Sequence, residues 1–107
     1  MTSSFKNAHT AVGTSATTVY TCGGSLNSSV IHGMFFANTH GSANVNVTLE
    51  LVDSSSGSSR KILDAVPVPP NTTLSVDKPI NLEPNDSIQA TASSANCDAV
   101  ASVLELS

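Results

Sequence analysis

At 107 residues the chain has room for one domain with a modest core and too little for two ordinary ones, so it is read as a single β-sandwich domain over 1–107. Charged residues make up only 11%, eight acids against four bases, and of the bases Lys6, Arg60, Lys61 and Lys78 only the middle two are adjacent; no clustered basic face exists to track phosphates, so a nucleic-acid partner is not expected. No apolar run approaches the ~20 residues of a membrane span, and 4% aromatics with no Trp argues against a base-stacking platform or an aromatic sugar-stacking lectin.

Ser, Thr and Asn supply roughly a third of the chain, but Val and Thr are plentiful and the net charge is only −4, which is the composition of a folded β-rich domain rather than of disorder. No stretch sustains a helical period. Short alternating or apolar runs recur at the ~8–12-residue spacing of a sandwich or barrel. The first strand is predicted near 4–12, with Phe5 and Val12, and the second at 16–22, "ATTVYTC", before the turn "GGSLNS". The third, 29–38, is "SVIHGMFFAN". Strict alternation puts Ile31 and Phe35 on one of its faces and Val30, Met34 and Phe36 on the other. A strand apolar on both faces is either central and covered or lies at a subunit contact.

After "THGSA", the stretch "NVNVTLELVD" alternates cleanly and sends Val45, Val47, Leu49 and Leu51 to the core. "SSSGSS" (54–59) reads as a hairpin tip. "RKILDAVPVP" (60–69) is a strand whose prolines suit an edge or an end. "PPN" turns into "TTLSV", "PINL" is a second short extended stretch, and "EPND" suits a tight turn. "SIQATAS" and "AVASVLEL" complete about eight strands. The fold class is therefore all-β, a two-sheet antiparallel β-sandwich of jelly-roll or immunoglobulin-like type.

Candidate chemistry is sparse. Cys22 ends a strand and Cys97 sits in the loop "SANCDA"; the Trp that packs on an antibody-type disulfide is missing, and both are expected to be free thiols. His9, His32 and His40 have no metal-ligand spacing: His32 and His40 share strand parity but are too far apart to hold one ion at ~3.3 Å per residue. Asp53, Asp64, Asp77, Asp86 and Asp98 fall at or near turns, where Asp commonly bonds its own backbone. There is no G-x-S-x-G elbow, Gly-rich phosphate loop or H-E-x-x-H. No enzyme activity, cofactor, metal or catalytic residue is expected. The start, "MTSSFKNAHTAV", lacks the apolar core of a signal peptide, so synthesis in a cytoplasm is expected.

Taken in order, "TTVYTC", "GMFFANTHGSANVNVTLELVDSSSG", "VPVPPNTTLSV", "INLEPNDSIQATASSA" and "SVLELS" resemble the small β-sandwich virion proteins of tailed bacteriophages, notably those of marine and cyanobacterial phages. Such proteins often carry Gly in the turn before the penultimate strand; here Asn85 stands there, a residue that also tolerates the left-handed conformation. The resemblance implies a structural part of a virion, made in the host cytoplasm: a capsid decoration or cement protein, or alternatively a neck, tail or fibre component or a carbohydrate- or receptor-binding module on a fibre. Its partners would be other virion proteins and further copies of itself, a trimer being expected from the threefold positions of icosahedral particles. The apolar surplus of the third strand leaves Ile31 and Phe35, or Val30, Met34 and Phe36, for a neighbour unless the segment around Phe5 covers them. The interface is placed at Phe5, Met34 and Phe36.

Overall fold

The computed structural model describes residues 2–107. It contains nine strands and, among the described residues, no helix: β1 Ser3–Val12, β2 Thr17–Thr21, β3 Ser28–Asn38, β4 Val45–Asp53, β5 Ser58–Val68, β6 Thr73–Val76, β7 Ile80–Leu82, β8 Ser87–Ala92 and β9 Cys97–Leu106. One sheet has the order β1-β9-β3-β6, with β7 also paired to β3; the other has the order β2-β8-β4-β5. Every pairing is antiparallel. The chain crosses between sheets at nearly every connection, and β9 returns to lie between β1 and β3. That is jelly-roll connectivity, with β6 and β7 together serving as one strand. It settles the choice between jelly-roll and immunoglobulin-like left open by the sequence.

The ninth strand arises from a break. β6 pairs with Met34–Ala37 and β7 with Ser29–Ile31. Between them lie Asp77, Lys78 and Pro79, and Pro79 has no N–H to offer the ladder. Opposite the break, β3 carries a bulge between Ile31 and Gly33. Cys97 begins β9 instead of lying in a loop.

The core lies between the sheets and is aliphatic, with Phe36 its largest fully buried side chain. Alternation in β4 delivers Val45, Val47 and Leu49 to it with no exposure, while Leu51, nearer the hairpin tip, is half-buried and packs on its rim. Across β3 and β9, large faces small: Phe36 pairs with Ala99 and Met34 with Ala101, so the bulky side chains find room between the sheets. β5 is an edge strand, as its prolines suggested, and two register shifts against β4 interrupt it. Ala65 there has φ 50° and donates its N–H to Thr48 Oγ1 at 3.1 Å. The β4–β5 tip turns at Gly57, φ 70°, where glycine carries no Cβ penalty. Asn85, φ 72°, turns "EPND" as expected, closed by Asp86 N–H to Glu83 O at 3.0 Å.

Candidate functional site

The two outer faces of the sandwich differ in chemistry. On the β2-β8-β4-β5 sheet the register places Thr48 beside Thr91, and Glu50 between Gln89 and Lys61, an ordinary solvated face. On the other sheet, one row runs Phe5, Leu104, Val30 and Asn81, and another runs His9, Val100, Phe35 and Ser75. Between them lies a low row of Asn7, Ser102 and Gly33. Phe5 is 79% exposed, Phe35 45% and Val100 42%. Among the described residues, strand register places no Lys, Arg or Glu on the face and one carboxylate, Asp98, toward one end, while Lys6 reaches its rim. Aromatic enrichment with depletion of charge is the compositional signature of a protein–protein contact.

The three residues placed at an interface from sequence separate here. Phe5 lies on the face, with its ring stacked on His32 at 5.9 Å between centroids. Met34 and Phe36 do not: both are fully buried in the core, and the expectation that they meet a neighbour is corrected. The cause is the β3 bulge. Ile31 pairs with Val103 and Gly33 with Ser102, leaving His32 as an extra residue. One inserted residue swaps the faces of everything after it. Ile31, Met34 and Phe36 therefore share the inner face, while Val30 and Phe35 point outward. A glycine inside a strand is the sequence signal that marks such a bulge, and Gly33 supplies it. Val100 and Leu104 were also missed as surface residues, although "AVASVLEL" alternates them against Ala99, Ala101 and Val103.

The seam between β2 and the opposite sheet is polar. Tyr20 donates its hydroxyl proton to Glu105, and Glu105 also pairs with Lys6 at 2.9 Å. Tyr20 Oη lies 2.9 Å from Ser29 Oγ, whose own proton is within reach of Cys22 Sγ at 3.1 Å. The bond from Tyr20, then that from Lys6, holds Glu105 below its ordinary value. Burial, then the bond to Glu105, pushes Tyr20 up to about 12. The signs are opposite. A depressed carboxyl stabilises the fold above its unfolded pKa and loses that contribution as pH falls through the folded value; a raised phenol contributes below its unfolded pKa and loses it as pH rises toward the folded one. The melting temperature should therefore fall in acid below the ordinary glutamate range, and Glu105→Gln should flatten that acid limb. Tyr20→Phe should flatten the alkaline limb between the ordinary tyrosine value of 10.0 and about 12.

Cys22 and Cys97 are both free and buried, and burial raises the thiol of Cys97. Cys22 sits against Ser29, which pairs with Glu105, eight residues along β9 from Cys97. At ~3.4 Å per residue that is about 27 Å, far beyond disulfide reach. Thiol titration without reductant should find both groups after denaturation and react far more slowly with the native protein.

The remaining polar candidates serve local structure. His40 Nδ1 accepts the N–H groups of Ser42 and Ala43, each at 3.1 Å, and so closes its own turn. Asp53 accepts from Ser55 Oγ and Ser55 N–H, bonds that hold it below the usual carboxylate range. Asp86 reaches further than expected. Its Oδ1 accepts from Ser54 N–H and Ser54 Oγ, at 3.0 and 3.3 Å, and its Oδ2 from Glu83 N–H at 3.0 Å. Asp53, Glu83 and Asp86 bring one oxygen each within 4.8 Å of one another. The bonds just given employ Asp53 within the β4–β5 tip and Asp86 as a clasp between the β4–β5 and β7–β8 loops.

No family model matches the chain and no curated protein matches it. Among solved structures it is similar to one of Bacillus endospore appendages, a family of disulfide-linked pili, with TM-score 0.54 and 11% identity, covering 99% of this chain and 88% of that one. It is also similar to a chain from the structure of infectious bursal disease virus, Gx strain, with TM-score 0.49 and 10% identity, covering 94% of this chain and 28% of that one. At such identity the likeness to the appendage chain shows a common β fold.

Proposed function

We propose that the chain is a non-enzymatic structural protein of a phage virion, a capsid decoration or cement protein that works by protein–protein contact. One observation carries this reading: the outer face of the β1-β9-β3-β6 sheet is apolar, aromatic and nearly free of charge, while the opposite outer face is polar. The order of motifs shared with phage virion proteins supports it. So does the occurrence of the same β fold in an assembled pilus, although both cysteines here are buried and the contact would be non-covalent. Many copies, each burying one modest patch, sum to a strong attachment.

The test is incorporation into particles of the phage that encodes the chain. Phe5→Ser with Phe35→Ser changes two exposed residues and should leave folding intact, while the amount of protein in purified particles falls about tenfold or more. Wild-type incorporation of this folded variant would remove the face from the mechanism. Absence of the wild-type protein from purified particles would end the virion reading. Cryo-electron microscopy of the particle then separates capsid decoration from a neck, tail or fibre position.

A further inference from the structure

The same face has a shape as well as a composition. Phe5, 79% exposed, makes a ridge at the β1 end of the row that it shares with the half-buried Leu104 and Val30. Beside it, over Ser102, runs a groove of about 350 Å³ walled by Phe5, Asn7 and His32, enough for a phenyl group. Lys6, on the rim, is tied to Glu105. Ridge and groove lie side by side on adjacent rows of one sheet, two residues apart along β9. A surface with this arrangement is complementary to itself. Rotating a second copy by a half-turn about an axis lying in the interface, across the strands between the two rows, puts each ridge in the other's groove.

We infer that this face pairs with the same face of a second copy about a two-fold axis crossing β9 between Ser102 and Leu104, so that Phe5 and Leu104 of each copy fill the groove over Ser102 of the other. The inference rests on the choice of face made above and names its partner. Charge favours it: a chain of net charge −4 repels its own copies, and this face brings them together without opposing charges. In this arrangement Asp98, two rows beyond the groove on the side away from the ridge, falls outside the contact and stays in water. Size sets it among the smaller specific interfaces: the broad side of the molecule is 27 Å wide, and the rows from Val100 to Leu106 that overlap about this axis run ~20 Å along the strands at ~3.4 Å per residue, an area somewhat below the ~800 Å² that each partner gives to a standard interface. Self-complementary contact closes as a pair, in place of the trimer expected from icosahedral positions.

The experiment is sedimentation equilibrium on the purified full chain over a wide concentration range. The wild type should dimerise. Phe5→Ala removes the ridge and Ser102→Trp fills the groove, and each should weaken dimerisation about tenfold or more. Thr48→Asp, on the opposite outer face, should leave it unchanged. Ser102→Trp is the discriminating variant, because it adds apolar surface: general stickiness would strengthen association, whereas ridge-in-groove pairing is blocked. If the tryptophan variant does not fold, Ser102→Gln tests the same groove with the same expected loss. A wild type that stays monomeric throughout, or a folded groove variant that associates as well as the wild type, overturns the pairing. A monomeric chain whose incorporation into particles still depends on Phe5 and Phe35 would sink the pairing and spare the virion reading. A dimer that never enters particles would do the reverse.

Discussion

Phe36→Ala should destabilise the folded chain by about 3–5 kcal/mol, whereas Phe35→Ala, its immediate neighbour, should cost under about 1 kcal/mol. Phe36 is the largest fully buried side chain and sits opposite Ala99 on the central strand. Neither alanine nor the rigid neighbouring strand can refill its volume, so a cavity remains. Phe35 faces the other way and is 45% exposed. Chemical denaturation of the two variants measures the contrast directly. Equal losses would mean that the outer face is covered within the folded monomer; a larger loss at Phe35 would place the bulge elsewhere on β3.

Asp86→Ala should cost about 3 kcal/mol, since hydrogen bonds to a charged group contribute about 1.5–3 kcal/mol each and stranded donors add a penalty of their own. Asp86 is 4% exposed and accepts from two backbone N–H groups and one hydroxyl on two separate loops. Asp86→Asn keeps one acceptor while turning the other into a donor, and should recover about half of the loss. Hydrogen exchange offers a second measurement. Protection of the Ser54 and Glu83 amides should disappear in the alanine variant, while the amides of β9 keep theirs.

The sequence was most readable where one face of a strand meets the core and the other meets water. β4 is such a strand, and its alternation placed Val45, Val47 and Leu49 correctly. Turn chemistry was equally plain at Gly57 and Asn85, because few residues accept a positive φ. The failures share a physical cause. Parity counting assumes an unbroken pleat, and one extra residue at His32 reversed it for Met34 and Phe36. The partnership of Asp86 with Ser54 joins loops 32 residues apart, a distance at which local patterning carries no information. The same holds for the uncharged face, which is assembled from β1, β3 and β9 and became visible only once the register brought Phe5, Leu104 and Val30 into one row.

The position of β9 bears on how the chain comes to be folded. This strand forms the middle of its sheet, yet it is the last of the nine to leave a ribosome. Until it emerges, β1 and β3 have no partner between them, since Ser3 pairs with Leu106 and Ser28 with the same residue from the other side. The β4–β5 hairpin can close early because its strands meet through a short tip, whereas the sheet containing β9 must wait for contacts that span the whole chain. Such non-local pairing is slow, in the range of milliseconds to seconds. This sheet is therefore completed only once β9 has emerged, and a nascent chain arrested before Cys97 would leave β3, with Ile31, Met34 and Phe36, unpaired along the edge that β9 covers and paired only to β6 and β7 on the other.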